Sequence, residues 1–294
     1  MRRVLSLAAV AVLAALALLW WTGGFDQLAA WAALRQREFQ NEIATGLRAA
    51  RAGQVGAVIA LLSACFAYGV VHAAGPGHGK VLIGGYGMAR AVPVLRLAVI
   101  GLAASLGQAV TAVALAWGGI LLFDLGRTAL IGWTERVMAP ASYAAIALIG
   151  GWLVWRGLRR SRRTPQEDHV CASCGHAHGP SPEQVAKADN PRAALALIAG
   201  IALRPCTGAL FVLIITWQMG IGMLGIAGTF AMALGTAVIT VAVGMGAGAL
   251  RGGVLAGFAG SERAARIGAA VEVAAGIAVV MLAGGLLLRS LPSL

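Results

Sequence analysis

Gly75-Pro76-Gly77-His78-Gly79-Lys80 and Arg204-Pro205-Cys206-Thr207-Gly208-Ala209 decide the reading of this chain. Both stretches sit inside long apolar segments. Each places a helix breaker and a polar or metal-capable side chain where a membrane helix should run on. Backbone groups facing lipid cannot stay unpaired, so such breaks are tolerated only where protein buries them or a cavity receives them. Paired breaks in the two halves of a membrane protein point to a transport site. With His72 and His78 flanking the first break, the expected cargo is a metal cation.

Composition supports that class. The chain is 59% hydrophobic and 12% charged, where a soluble domain carries about 25% charged residues. The 41 glycines suit close packing of membrane helices. The net charge of +12 could indicate nucleic acid, but the charges lie in short loops beside apolar spans, where they set orientation instead. We therefore expect an all-α, polytopic membrane protein with about seven transmembrane helices, no nucleic-acid partner and the lipid bilayer as its surroundings. The spans run approximately 4–22, 55–90 (broken at Pro76), 97–123, 141–156, 193–219 (broken at Pro205), 223–250 and 267–288, each near the ~20 residues a bilayer requires. The first could be a cleaved signal peptide, but its length and Trp20-Trp21 favour a retained anchor.

With the N-terminus in the cytoplasm, 14 Lys and Arg fall on the cytoplasmic side and 7 on the far side, with Lys80 and Arg204 inside the breaks. That asymmetry follows the positive-inside rule and places the C-terminus outside. Spans two to four and five to seven then become two inverted three-helix repeats with broken helices, and their site lies near the midplane. The expected organisation is an N-terminal anchor over 1–22, a periplasmic amphipathic helix over 23–54, a first repeat over 55–156, a cytoplasmic Cys/His loop over 157–192 and a second repeat over 193–294. In the 23–54 segment, Leu28, Trp31, Phe39, Ile43 and Leu47 recur at helical spacing. That pattern fits a helix lying on the membrane surface or a packed linker helix.

His72 and His78 are six residues apart, which would be about 240° of rotation on an unbroken helix. Pro76 clashes with the carbonyl four residues back, that of His72, so the helix must bend or unwind and the imidazoles can converge. Imidazole suits Ni, Co, Zn and Cu; the alternative is a pair hydrogen-bonded between helices. Cys206 is a candidate soft ligand, redox thiol or small buried residue. Thr207 aligns with His78 as a possible oxygen ligand. Lys80 and Arg204 could repel a bound ion, cap carbonyls freed by the breaks or snorkel. Ser105 and Gln108 are expected to line the pathway or to bond between helices. Glu272 is the one carboxylate deep in an expected span, suited to carrying protons or balancing cation charge. In the loop, His169, Cys171, Cys174, His176 and His178 offer soft and borderline ligands in one tract. Their spacing is too compressed for a zinc finger, and a disulfide is disfavoured in a reducing cytoplasm.

The stretch His72-Ala73-Ala74-Gly75-Pro76-Gly77-His78-Gly79-Lys80 resembles the hallmark of the NicO family of nickel/cobalt transporters. Leu203-Arg204-Pro205-Cys206-Thr207-Gly208-Ala209 is similar to that family's second motif. The resemblance covers spans two to seven. It implies Ni2+ or Co2+ as transported substrate rather than cofactor, a transporter and not an enzyme, and a bacterial inner membrane. His72 and His78 match the family's motif histidines. Family members often carry a longer His-rich loop, which here is short and partly replaced by Cys171 and Cys174. The related uptake permeases use a His-x4-Asp-His motif, and no Asp precedes His78, so efflux is expected. The alternatives are nickel/cobalt uptake, a membrane thiol-disulfide electron carrier, which would need a redox Cys in each repeat where only Cys206 and the ill-placed Cys65 are available, and a metal-sensing scaffold. A homo-oligomer is compatible with all of them.

Overall fold

The computed structural model describes residues 14, 18, 21–75, 78–90, 92–123, 127–161, 191–256 and 263–290. Among these residues the chain is all α-helical: α1 Gly24–Arg51, α2 Ala57–Ala74, α3 His78–Ala89, α4 Val94–Phe123, α5 Arg127–Trp133, a π-turn Thr134–Met138, α6 Ala139–Ser161, α7 Pro191–Ala202, α8 Thr207–Gln218, α9 Gly222–Ala256 and α10 Arg263–Ser290. Five helices are long and apolar enough to cross a membrane, and α7 with α8 makes a sixth span if the bent pair is counted as one. The all-α membrane class stands. The expected first span, 4–22, lies almost wholly outside the described residues, so the described count is five to six rather than seven.

The fourth span starts earlier than its apolar core suggests. Glu135 and Arg136 read as loop in the sequence, yet helix continues through them from Thr128 to Ser161. Pro140 accounts for the irregularity. Its ring would meet the carbonyl four residues back, that of Arg136, and the π-turn Thr134–Met138 widens the helix at that point.

Lipid tails offer no hydrophobic drive for one helix to leave them for another, so close contact depends on small residues. The α2–α9 crossing shows this. A Cβ on Gly69 would collide with the carbonyl of Met232, and one on Gly235 would collide with the carbonyl of Phe66. The α6–α10 crossing repeats the pattern. A Cβ on Gly276 would come within 2.9 Å of the Val154 amide nitrogen, and one on Gly150 within 3.0 Å of that of Val280. Two cross-helix bonds add to it: Thr236 Oγ1 donates to the Gly69 carbonyl at 3.3 Å, and Ser142 Oγ to the Gly200 carbonyl at 2.7 Å.

Packing follows a definite pattern. α9 lies against α2, α3, α4 and α8; α6 pairs with α10; α7 packs on α4; and α3 touches both α9 and α10. Although consecutive in the chain, α9 and α10 scarcely meet. The ends of α3, α6 and α9 and the first turns of α10 gather at one end of the bundle, around Arg90, Arg156, Arg251 and Glu272.

The amphipathic segment is α1, and it packs along α2. Its buried stripe is Ala32, Ile43 and Leu47, while Leu28 and Trp31 are exposed at 42% and 46%. The expected apolar face is therefore correct at its C-terminal half and rotated at its N-terminal half. Small Ala32 faces inward because the helix there comes close to the first break: a Cβ on Gly75 would lie 3.3 Å from that of Ala32.

Candidate functional site

Both breaks interrupt helix. α2 stops at Ala74, and Gly75 takes an extended conformation at φ −63° and ψ 166°. Its freed carbonyl accepts a hydrogen bond from Lys80 Nζ, so Lys80 caps the break. In the second break the chain leaves helix after Ala202, and the axes of α7 and α8 differ by 57°. Cys206 occupies the position just before α8 with φ −70° and ψ 128°. The carbonyl of Arg204, released by the break, accepts Gln108 Nε2 at 3.1 Å.

The two breaks meet through His72 and Cys206. His72 stands in the last turn of α2, and its ring is within hydrogen-bonding reach of the Cys206 thiol. Its Nδ1 lies 2.9 Å from Gln36 Oε1. A carboxamide oxygen only accepts, so Nδ1 donates to it, which in the neutral ring leaves the lone pair on Nε2. Tyr68, one turn earlier, stacks on His72 with ring centroids 5.8 Å apart and planes 8° apart. Its hydroxyl reaches both Gln40 and Cys206. Space for that ring exists because position 208 is glycine: a Cβ there would come within 2.6 Å of the Tyr68 ring carbons.

Behind Cys206 is a small cavity of ≈ 20 Å³ between α2, α4, α8 and α9, with Ser105, Gln108, Thr229 and Thr236 among its polar lining. That volume suits about one water-sized occupant. Ser105 and Thr229 are 2% and 1% exposed, and Thr229 Oγ1 has no hydrogen-bond partner among the described residues. A buried hydroxyl without a partner carries a penalty of roughly 1–3 kcal/mol, which an occupant able to accept or donate would relieve.

Arg204 faces away from the cavity. Its guanidinium donates to the Tyr143 hydroxyl, lies 5.1 Å over that ring and is 3.7 Å from Glu135. Thr207, in the first turn of α8, is exposed and does not line the cavity. Glu272 lies elsewhere, fully buried on α10 and paired with Arg156 at 3.3 Å and Arg160 at 3.7 Å. Pro76, Gly77, the His78 side chain, and the loop ligands His169, Cys171, Cys174, His176 and His178 fall outside the described residues. Among the described residues, no three His, Cys, Asp or Glu side chains gather where they could hold a metal ion. Cys65 and Cys206 are both free thiols. Cys65 is packed among Leu61, Leu210 and Val212 in the apolar core, whereas Cys206 borders the cavity.

Several contributors escaped the sequence reading: Gln36, Gln40, Tyr68, Thr229, Thr236, Glu135 and Tyr143. For Gln36 and Gln40 a signal existed. They fall on the buried stripe of α1 between Ala32 and Ile43, where a polar side chain needs an inward partner. Thr229 and Thr236 are seven residues apart on α9, which puts them on one face, but threonines in apolar helices usually bond to their own backbone, as Thr240 does to the Thr236 carbonyl.

Comparison with known proteins adds the family. The family model NicO, described as high-affinity nickel-transport protein, matches residues 58–170 and 166–291. The chain is 30% identical over 241 residues, 73% of its length, to a Haemophilus influenzae protein named "Putative nickel/cobalt efflux system", of which the match covers 72%. No solved structure matches it.

Proposed function

The chain belongs to the NicO family of nickel transporters, and from that footing we propose that it exports Ni2+ or Co2+ from the cytoplasm through a site formed where its two broken helices meet. The observation that carries this reading is the convergence of His72 and Cys206, from opposite halves of the chain, beside a polar cavity. His72 Nε2 and the Cys206 sulfur supply one borderline and one soft donor, a pair suited to late first-row divalent ions. The start of α8 presents the positive end of its dipole to Cys206, a favourable setting for an anionic sulfur. His78 is the proposed third donor, brought round by the break at Pro76. The hydroxyls of Ser105, Thr229 and Thr236 and the amide of Gln108 then form an oxygen-lined path behind the donors, replacing water one ligand at a time. Lys80 and Arg204 take no part as ligands; they hold the freed carbonyl of Gly75 and the Tyr143–Glu135 pair respectively.

The two halves serve as inverted repeats in this reading. Exchange of α2–α3 with α7–α8, of α4 with α9 and of α6 with α10 carries some of the helix contacts into others, although the extensive α3–α10 contact has no comparable counterpart between α8 and α6. The α4–α9 and α6–α10 pairs map onto themselves, and the α2–α9 contact maps onto the α7–α4 contact. The membrane is the bacterial inner membrane, with the arginine-rich end of the bundle in the cytoplasm. Export is favoured by the Cys/His tract on that side, which gathers ions from the compartment to be emptied, and by the efflux name of the Haemophilus relative.

Everted membrane vesicles provide the test. Cells expressing the chain should yield vesicles that accumulate Ni2+, and His72→Ala or Cys206→Ala should reduce the initial rate at least tenfold at unchanged protein level. Vesicles of the opposite sidedness accumulating the ion would reverse the direction. Full activity in both variants would remove the proposed site.

A further inference from the structure

Four arginines and one glutamate meet where α3, α6, α9 and α10 come together. Glu272 on α10 is 0% exposed, with Arg156 Nε at 3.3 Å and Arg160 Nη1 at 3.7 Å from its oxygens. Arg251 on α9 lies within electrostatic range of Arg156, Arg160 and Glu272. Arg90, just beyond α3 and 6% exposed, faces Arg156 and lies 5.7 Å over the Tyr86 ring and 5.6 Å over Trp152. Among the described residues, four guanidinium groups against one carboxylate leave an excess of three positive charges.

Arginines that only mark the cytoplasmic side of a membrane protein stretch their heads into water. This group does not behave that way as a whole. Arg251 Nε is buried without an acceptor among the described residues, and neither Glu272 oxygen receives a hydrogen bond there. The carboxylate is thus held by charge alone, and donors remain to spare. The cluster reaches outward through Arg160, whose side chain is 59% exposed. On the same helix Trp155, 57% exposed, lies under Arg159 at 5.4 Å, an aromatic–cation pair of the kind found at the membrane–water interface. A ligand for such a site must be anionic, carry several acceptor oxygens and arrive from the headgroup layer.

We propose that Arg156, Arg160 and Arg251, backed by Arg90 around Glu272, bind a phosphate group presented by an anionic phospholipid of the surrounding leaflet. Guanidinium forks match phosphate oxygens two at a time, and basic pockets between membrane helices are sites for anionic headgroups. The phosphate supplies the acceptor that Arg251 Nε lacks and balances the charge left by Glu272. Because α3, α6, α9 and α10 all contribute to the cluster, the bound lipid joins helices from both halves of the chain.

The full chain in non-ionic detergent is titrated with phosphatidylglycerol, with phosphatidylcholine and with inorganic phosphate, and thermal unfolding is followed. Phosphatidylglycerol should raise the midpoint in a saturable way, and phosphatidylcholine should not. Arg160→Gln and Arg251→Gln should each weaken the apparent affinity for phosphatidylglycerol by about tenfold, the loss of one charge-assisted hydrogen bond. Glu272→Gln, which raises the positive excess to four, should strengthen it. If either glutamine variant fails to fold, Arg160→Lys takes its place. It keeps the charge and loses the fork, so weaker binding supports the site and unchanged binding overturns it. Equal responses to both lipids, or an unchanged phosphatidylglycerol response in the arginine variants, overturn the proposal. Stabilisation by inorganic phosphate with none by phosphatidylglycerol assigns the cluster to a free anion and overturns the lipid assignment. None of these readouts depends on transport.

Discussion

Gln36 lies on α1, before the first residue matched by the family model at 58, yet it holds the ring of His72 at 2.9 Å. Gln36→Leu keeps the volume and the helical preference and removes the acceptor. The lost hydrogen bond contributes about 1 kcal/mol to the fold, which a protein with such extensive helix packing should tolerate. The larger effect falls on the ring. Without Oε1 to receive the Nδ1 proton, the imidazole can turn or change tautomer, and Nε2 no longer points reliably toward the proposed ion site. Loss of such a supporting partner typically costs 10–100-fold in metal affinity. Because Tyr68 stacking at 5.8 Å still restrains the ring, the lower figure applies: about tenfold, or ~1.4 kcal/mol. Ni2+ accumulation by everted vesicles, measured across concentration, should show a half-saturation raised about tenfold with the maximal rate reduced less. Gln36→Glu, which keeps an oxygen acceptor, should restore most of the loss. An unchanged half-saturation in Gln36→Leu at equal protein level would refute the supporting role, as would a Gln36→Glu variant as impaired as the leucine one.

Gly235→Ala should lower the thermal midpoint in detergent, since its methyl meets the Phe66 carbonyl and overpacking costs about 1–3 kcal/mol; Gly246→Ala on the same helix, with nothing within 4 Å, should not. Thr229→Val removes a buried hydroxyl that has no described partner, so the midpoint should hold or rise by about 1 kcal/mol equivalent while Ni2+ flux falls; retained flux would take Thr229 out of the path. If the Cys/His tract gathers ions without forming the pathway, as proposed, deleting 167–180 should raise the half-saturation concentration and leave the maximal rate largely unchanged. A complete loss of transport would move those ligands into the pathway.

Much of this arrangement was legible because membrane helices write their breaks in proline and glycine. Pro76 and Pro205 stand where an apolar run cannot otherwise stop, and helix ends at Ala74 and at Ala202. The matched breaks led to the expectation of one shared site for His72, His78, Cys206 and Thr207; His72 and Cys206 approach each other, Thr207 is exposed, and the His78 side chain lies outside the described residues. What the sequence conceals is which polar side chains cross between helices. Gln36 is one of many polar residues on an amphipathic helix, and only the close approach of Ala32 to Gly75 shows that this helix covers the break. Glu272 looked like a pathway carboxylate because it is the lone acid in its span; its partners are one turn apart on α6 and could not be named without the α6–α10 pairing. The early start of the fourth span was hidden by Glu135 and Arg136, whose polarity suggests a loop until the π-turn ahead of Pro140 explains how helix passes through them.

The position of α3 between α9 and α10 has a mechanical consequence. Those two helices scarcely touch, so the bundle divides into a large slab around α9 and a smaller α6–α10 pair, with the twelve residues of His78–Ala89 wedged between. Rocking of the pair against the slab would be taken up by this short rod and by the α6–α7 contact, where Ser142 Oγ bonds the Gly200 carbonyl. One end of the rod is tied at Arg90 to the arginine cluster, and the other begins beside Lys80 and the Gly75 carbonyl. A tilt imposed at the arginine cluster would therefore be delivered, about three helical turns away, to the backbone at Gly75 where α2 breaks.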